Sequence, residues 1–354
     1  MLSISDRGVN AVRALLCPAA GFLIVVMAFS AAAAHKIFLL PRFTEAQSFR
    51  YQIETQTTTK GTTTSPIVNP EGASSATQSA SLIVRFDVLD VARAATGTFP
   101  RTRLRVTYEQ AHATSQSDAY DPQAAALDDQ YAQLEGRSME FTIEPDGGIS
   151  NMAGLEDIFS KPGASQAVHA WMAGVTSGAG LPKQGIAIGE KWAGERPIEG
   201  VPLKNLAWRT QSSYLRDESC RPTNPSQAGG AEASGAAAPS GGPAISATPE
   251  DTCAVILTRL EIIRRGSSHA DATPDDYLRN SLRTAGIWEG SGESLDSISL
   301  TTGMLVISTE TTSQKMDYEI RSTRTGSVLH YQGSVQSQLQ INLLPSPPLA
   351  GQKP

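Results

Sequence analysis

The stretch Phe49-Arg50-Tyr51-Gln52-Ile53-Glu54 alternates apolar and polar side chains, which is the period of a β-strand with one buried face. The same alternation returns at Leu82–Val88, Leu104–Tyr108 and Met139–Ile143. Near the end of the chain, most odd positions of Val335–Leu343 are apolar, while the even positions carry Gln or Asn. Because these strands have one polar face each, the pattern predicts antiparallel pairing with one face of the sheet in water.

About ten such strands are recognisable along the chain. They predict an α+β fold built on a long curved antiparallel sheet, half-barrel-like, with a few short helices covering its apolar face. The first helix is expected from Asp121, an N-cap followed by Pro122, to Gly136. Apolar side chains at helical spacing predict a second helix through Gln166–Val175, and a cap signal at Pro274 predicts a third over Thr273–Arg283.

The first 34 residues have the composition of a secretory signal peptide. Arg7 and Arg13 precede the apolar run Pro18–Ala34, which ends in four alanines and predicts cleavage before His35. The alternative is an uncleaved membrane anchor, because Leu15–Ala34 is almost long enough to span a bilayer. We therefore expect an exported protein, periplasmic or extracellular, or one anchored by its N-terminal helix.

The composition fits an exported β-rich protein and argues against a nucleic-acid partner. The 354 residues include 29 Lys and Arg and 35 Asp and Glu, so the formal net charge is −6, whereas phosphate binding needs a positive surface. Charged residues make up only 18 %, while the 30 Gly and 21 Pro supply many turn positions.

Two cysteines, Cys220 and Cys253, remain if the leader with Cys17 is removed. An even number of cysteines in an exported protein predicts a disulfide bond between them. Two unpaired thiols are the alternative.

Three segments have compositions that do not favour packing. Residues 221–252 consist mainly of Gly, Ala, Ser and Pro and predict a disordered insert. Residues 56–81 are rich in Thr and Ser, and residues 345–354 form a Pro-rich tail. Residues 35–344 are therefore expected to form a single β-rich domain that carries the insert.

Several short motifs occur in a recognisable order. They are Phe49-Arg50-Tyr51 followed by Thr57–Gly61, then Leu134-Glu135-Gly136, the turn sequence Ile143–Ile149, and Leu181-Pro182 ahead of Ile188–Trp192. Their order resembles a family of uncharacterised exported bacterial β-rich proteins of the DUF6263 kind. The resemblance implies an exported β-rich protein, and it carries no catalytic residues or ligand.

The sequence contains none of the motifs that carry common enzyme chemistry. None of the five histidines lies within four residues of another, as a zinc site on one helix would require. No nucleophile elbow, phosphate-binding loop or dinucleotide fingerprint occurs. We therefore expect no catalytic residues, no metal and no cofactor, and we do not expect an enzyme.

The leading hypothesis is a binding protein of the cell envelope that uses the concave apolar face of its sheet. The partner would be a lipid, a lipophilic small molecule or another envelope protein. The residues expected on this ligand face are Trp171, Met172, Val84 and Phe86. The alternative is a purely structural or protein-interaction module with a filled core and an exposed sheet edge.

Overall fold

A computed structural model describes residues 36–64, 73–92, 100–118, 127–145, 147–154, 181–182, 184–198, 201–220, 251–266 and 272–345. Contacts divide the chain into Met1–Ala34 and His35–Pro354, and all described residues belong to the second unit. The described part of this unit consists mainly of strands, with two helices of 6 and 5 residues.

The elements follow one another in the order β1 (Ser48–Thr64), β2 (Ala73–Val91), β3 (Thr102–Ser117), α1 (Leu127–Ala132), β4 (Ser138–Ile143), β5 (Ile149–Ala153), β6 (Lys191–Pro197), β7 (Leu206–Ser219), β8 (Thr252–Arg264), α2 (Asp275–Arg279), β9 (Leu282–Ser299), β10 (Leu305–Ser322) and β11 (Val328–Leu344).

Within the described residues, eleven strands join one open sheet in the order β5-β4-β3-β2-β1-β11-β10-β9-β8-β7-β6. Each neighbouring pair is antiparallel, which confirms the predicted antiparallel pairing in one long sheet; the described strands number eleven, whereas about ten were predicted. The first strand pairs with the last, with Ile53 opposite Ile341, so the N-terminal and C-terminal halves meet in the middle of the sheet. The two edges are β5 and β6, which are consecutive in the sequence.

We call the sheet face that carries Phe49, Tyr51 and Ile53 the inner face, and the opposite side the outer face. These three side chains are at most 5 % exposed and belong to the main hydrophobic core. The Tyr51 hydroxyl donates a hydrogen bond to the Leu305 carbonyl at 2.8 Å, so its polar atom is satisfied within the core. The alternation in the sequence therefore places the core on the inner face.

The outer face is polar and carries ion pairs across neighbouring strands. Glu140 on β4 accepts hydrogen bonds from Arg105 and Arg103 on β3, with 2.7 Å between Arg105 Nη2 and Glu140 Oε1. The Arg105 hydrogen bond is the main cause that lowers the pKa of Glu140. Such cross-strand pairs suit a solvated sheet face.

The Thr- and Ser-rich stretch 56–81 was predicted not to pack, and that prediction is wrong. Strand β1 continues to Thr64 and β2 begins at Ala73, so residues 56–64 and 73–81 lie in the sheet. Thr57 pairs its hydroxyl with that of Ser337 at 3.1 Å, and Thr58 does so with Thr77 at 3.1 Å. Threonine is β-branched and favours strands, and here both neighbouring strands supply partners.

The predicted helices are shorter where the structure describes them. Of the helix expected over 121–136, the structure describes α1 and a turn that ends at Gly136 with a φ of +77°. Helix α2 replaces the one expected over 273–283, because β9 already begins at Leu282. The helix expected through 166–175 lies outside the described residues.

The chain around α1 covers an edge of β3. Strand β4 pairs only with the first part of β3, up to Thr107. Beyond it, the Ala111 N–H donates to the Glu135 carboxylate at 3.0 Å and the Ala113 N–H to the Asp128 carboxylate at 3.1 Å. These carboxylates occupy strand donors that a further strand would otherwise use.

The predicted disulfide bond between Cys220 and Cys253 is present, with 5.0 Å between the Cα atoms. It joins the end of β7 to the beginning of β8. Thr252 of the expected insert already belongs to β8, whereas residues 221–250 and the tail 346–354 lie outside the described residues. In the described part of the chain, no helix is long and apolar enough to cross a membrane.

Candidate functional site

Two predicted ligand-face residues, Val84 and Phe86, lie in the hydrophobic core. Both are 0 % exposed. The Phe86 ring stacks on Phe49 with 5.1 Å between centroids, and it meets Tyr51 edge-on at 5.7 Å. A ligand therefore reaches neither side chain in this conformation without displacing core residues.

The other two predicted ligand-face residues, Trp171 and Met172, lie outside the described residues. The structure therefore does not bring the four residues together. Their joint role as a ligand face stays a prediction.

Further along the strands, the inner face becomes polar. A polar belt on β9 and β10 pairs Asp296 with Ser308 and Ser294 with Glu310. The Asp296 carboxylate accepts hydrogen bonds from the Ser294 hydroxyl at 3.0 Å and from the Ser308 hydroxyl at 2.6 Å. Burial nevertheless raises the pKa of Asp296, which means that the loss of hydration outweighs these two donors.

The second carboxyl group of the polar belt belongs to Glu310. Burial raises its pKa, the positive charge of Arg196 on β6 acts in the opposite direction, and the negative charge of Asp296 adds to the rise. The belt therefore contains two poorly hydrated carboxyl groups, Asp296 and Glu310, and the cation Arg196 on the edge strand β6 acts on Glu310.

An aromatic cluster lies at the end of the strands away from the core. Trp288, Tyr318 and Tyr331 stand on β9, β10 and β11, and their rings form a row across these neighbouring strands. The Trp288 and Tyr318 rings are parallel within 4° with 6.2 Å between centroids, and the Tyr318 and Tyr331 centroids are 5.2 Å apart. All three side chains are partly exposed. The row thus presents aromatic surface to solvent on the inner face.

A second, smaller hydrophobic core supports the aromatic cluster. Its buried members include Leu203, Leu206 and Ile262, against which Trp208 of β7 also packs. The Trp288 indole N–H donates to the Gln314 side-chain oxygen at 2.9 Å, which fixes the orientation of the ring. The smaller hydrophobic core and the hydrogen bond from Trp288 to Gln314 therefore hold the cluster in place.

Tyr331 occupies space that two glycines leave open. A Cβ atom on Gly61 would lie 2.5 Å from the Tyr331 hydroxyl oxygen, and one on Gly333 would lie 2.6 Å from it. Since any larger side chain would displace the ring, these two glycines keep Tyr331 in the row.

The sequence analysis does not identify the aromatic cluster. Of the three rings, only Tyr318 stands in a clearly alternating segment, Met316–Ile320, so the sequence pattern alone does not place Trp288 or Tyr331 on the inner face. Only the strand register shows that these positions are adjacent.

The outer face carries a cleft of about 620 Å³ whose lining includes Lys60, Lys315, Ser334 and Asp317. Of the predicted ligand-face residues, the two that the structure describes, Val84 and Phe86, do not line it. The described residues contain no group of three or more His, Cys, Asp or Glu side chains suited to a metal ion.

Comparison with known proteins identifies no family for this chain. No protein-family model matches it, and no curated protein is significantly similar to it. The resemblance to exported β-rich proteins of the DUF6263 kind therefore stays a prediction.

Proposed function

We propose that this chain is an exported, non-enzymatic envelope protein that binds a lipophilic ligand on the inner face of its sheet. The observation that carries the proposal is the row of partly exposed rings formed by Trp288, Tyr318 and Tyr331. Aromatic surface of this kind contributes strongly to the binding of apolar groups. The proposal includes a half-barrel curvature of the sheet around this face, with short helices over it.

The arrangement of the inner face suits a long ligand with one polar end. Ser294 lies six positions after Trp288 on β9, so the aromatic cluster and the polar belt are about 20 Å apart along the strand. Between them, β9 has Gly290 and Gly292 at the inward positions. An apolar chain would lie along this path, with its polar end at the belt.

The polar belt favours a particular class of polar end. Asp296 and Glu310 are acidic, so an anionic group would be repelled when they are ionised. A hydroxyl, amine or amide group would instead donate hydrogen bonds to them.

Binding of the apolar fluorophore N-phenyl-1-naphthylamine tests the aromatic cluster. We expect Trp288→Ala to weaken binding about tenfold, because one aromatic contact contributes about 1.4 kcal/mol. The matched control is Ile287→Ala, since Ile287 is 60 % exposed and points to the outer face of the same strand. Equal affinities of the two variants would refute the proposal.

A second candidate function, protein interaction by strand addition, is favoured by the open sheet. Its edge strands are β5 and β6, and an incoming strand would pair with one of them. An Ala193→Cys variant in β6, joined to a photo-crosslinker in intact cells, tests this function. A single envelope protein crosslinked at this position, together with unaltered fluorophore binding by Trp288→Ala, would favour the interaction module.

A further inference from the structure

The centre of the outer face is uncharged over two neighbouring rows of outward side chains. In the first row, Ser79, Gln56, Gln338 and Thr311 lie opposite one another on β2, β1, β11 and β10. The second row lies two residues further along each strand and consists of Thr77, Thr58, Gln336 and Ser313. The strand register therefore places these eight hydroxyl and amide side chains on one continuous surface.

Two clefts follow these rows across the strands. The first has a volume of about 520 Å³ and extends from Thr114 on β3 to Thr311 on β10, and the second has about 540 Å³ and extends from Gln338 on β11 to Arg259 on β8. Each is lined by outward residues of two adjoining rows and by the inward residue between them, so both lie on the outer face.

The two clefts adjoin, because Gln338 and Thr311 line both of them. Together they cross seven neighbouring strands, from β3 to β8. At the usual spacing between strands this path is about 29 Å long. A path of this length suits an extended chain better than a small compact ligand.

Three glutamine amide groups lie close together where the clefts meet. Gln56 lies directly opposite Gln338, and Gln336 is the next outward residue on the strand of Gln338. All three side chains are exposed, and none forms a hydrogen bond with another described residue. A carboxamide group both donates and accepts hydrogen bonds. These amides can therefore pair with a partner that also does both.

The charges along the clefts favour an uncharged partner. Of the outward carboxylates that line them, Glu54 accepts a hydrogen bond from the Gln52 amide at 2.8 Å, and Glu293 forms an ion pair with Arg259 at 3.2 Å. Nucleic acid or an anionic membrane surface would require cations without such a partner. None of the outward lining residues is apolar, whereas the centre of a stable protein interface usually is.

We propose that the two clefts bind a chain of N-acetylated amino sugars, with its acetamido groups against Gln56, Gln336 and Gln338. Sugar hydroxyls donate and accept hydrogen bonds, as the Ser and Thr side chains of the clefts do. An acetamido group offers one N–H donor and one carbonyl acceptor, which match the carbonyl and the NH₂ group of a glutamine side chain. The inference goes beyond the proposed function, because it concerns the opposite face of the sheet from Trp288.

Calorimetric titration of the purified full chain with two soluble sugars tests the proposal. N-acetylchitohexaose and cellohexaose have the same glucan backbone and differ in the acetamido group that replaces one hydroxyl on each ring. We expect the wild type to bind N-acetylchitohexaose severalfold more tightly than cellohexaose. No binding of N-acetylchitohexaose, or equal affinities for the two sugars, would overturn the proposal.

A pair of glutamine variants locates the binding surface. We expect Gln338→Ala to weaken binding of N-acetylchitohexaose severalfold, because Gln338 lines both clefts. The matched control is Gln116→Ala, since Gln116 is also exposed on β3 and lines neither cleft. The same affinity in both variants would contradict the assignment.

Two further titrations separate this inference from the proposed function. We expect Trp288→Ala to keep its affinity for N-acetylchitohexaose and Gln338→Ala to keep its affinity for N-phenyl-1-naphthylamine, because the two sites lie on opposite faces. Loss of sugar binding in Trp288→Ala would place the sugar on the aromatic cluster and would overturn the proposal. Failure of the wild type to bind N-phenyl-1-naphthylamine bears only on the proposed function.

Discussion

At the scale of one residue, the Asp296 carboxyl group on the inner face makes the stability of the fold depend on pH. Its carboxylate accepts hydrogen bonds from Ser294 and Ser308, yet burial raises its pKa above the ordinary value of 3.8. Below that value the carboxyl group is protonated in both the folded and the unfolded chain. As the pH rises, the unfolded chain loses this proton first, so Asp296 lowers the stability of the fold until it ionises in the folded state as well.

We therefore predict that Asp296→Asn reduces the loss of stability that sets in as the pH rises above about 4. The asparagine oxygen still accepts from the two serine hydroxyls and carries no charge. Urea unfolding midpoints at several pH values measure the effect, and Asp90→Asn, at an exposed position near the end of β2, is the control. The same pH dependence in both variants would contradict the account of Asp296.

At the scale of elements, β1 shows which part of the fold the sequence predicts. The alternation over Phe49–Ile53 predicts a half-buried strand, and these side chains do lie in the core. Residues 57–64 lack apolar alternation, and their place in the sheet depends on partners far away in the chain. Thr59, for example, lies opposite Val335 on β11. Local pattern carries no information about such partners, so the strand was predicted too short.

The same reason explains which parts of the candidate site were predictable. To predict the bond between Cys220 and Cys253, it is enough to count the cysteines and to expect an exported chain. To predict the aromatic cluster, one must know the strand register that places Trp288, Tyr318 and Tyr331 side by side. Alternation alone identifies an inward face but does not show which inward residues meet.

The disulfide bond yields a prediction about β7 and β8. Replacing Cys220 and Cys253 by serine should lower the free energy of unfolding by about 3–4 kcal/mol, because the bond closes a long loop in the unfolded chain. Urea unfolding with and without dithiothreitol measures the loss, and Cys17→Ser is the control. An unfolding midpoint that neither reduction nor the double substitution changes would contradict this prediction.

At the scale of the whole compact unit, the inner face is continuous across both halves of the sheet. The pairing of β1 with β11 joins the core strands near Tyr51 to the strands that carry the aromatic cluster. A filled core therefore stabilises one end of the face, and the rings at the other end are partly exposed. This division explains why Val84 and Phe86 are buried while the proposed ligand contacts lie elsewhere.

Native mass spectrometry of the chain, purified without detergent, tests ligand binding most directly. We expect the wild type and Ile287→Ala to carry an added mass in the lipid range that is lost on denaturation. Trp288→Ala should carry much less of it, because one ring of the row is missing. The bare mass of the polypeptide in all three proteins would contradict ligand binding and leave the strand-addition module as the better account.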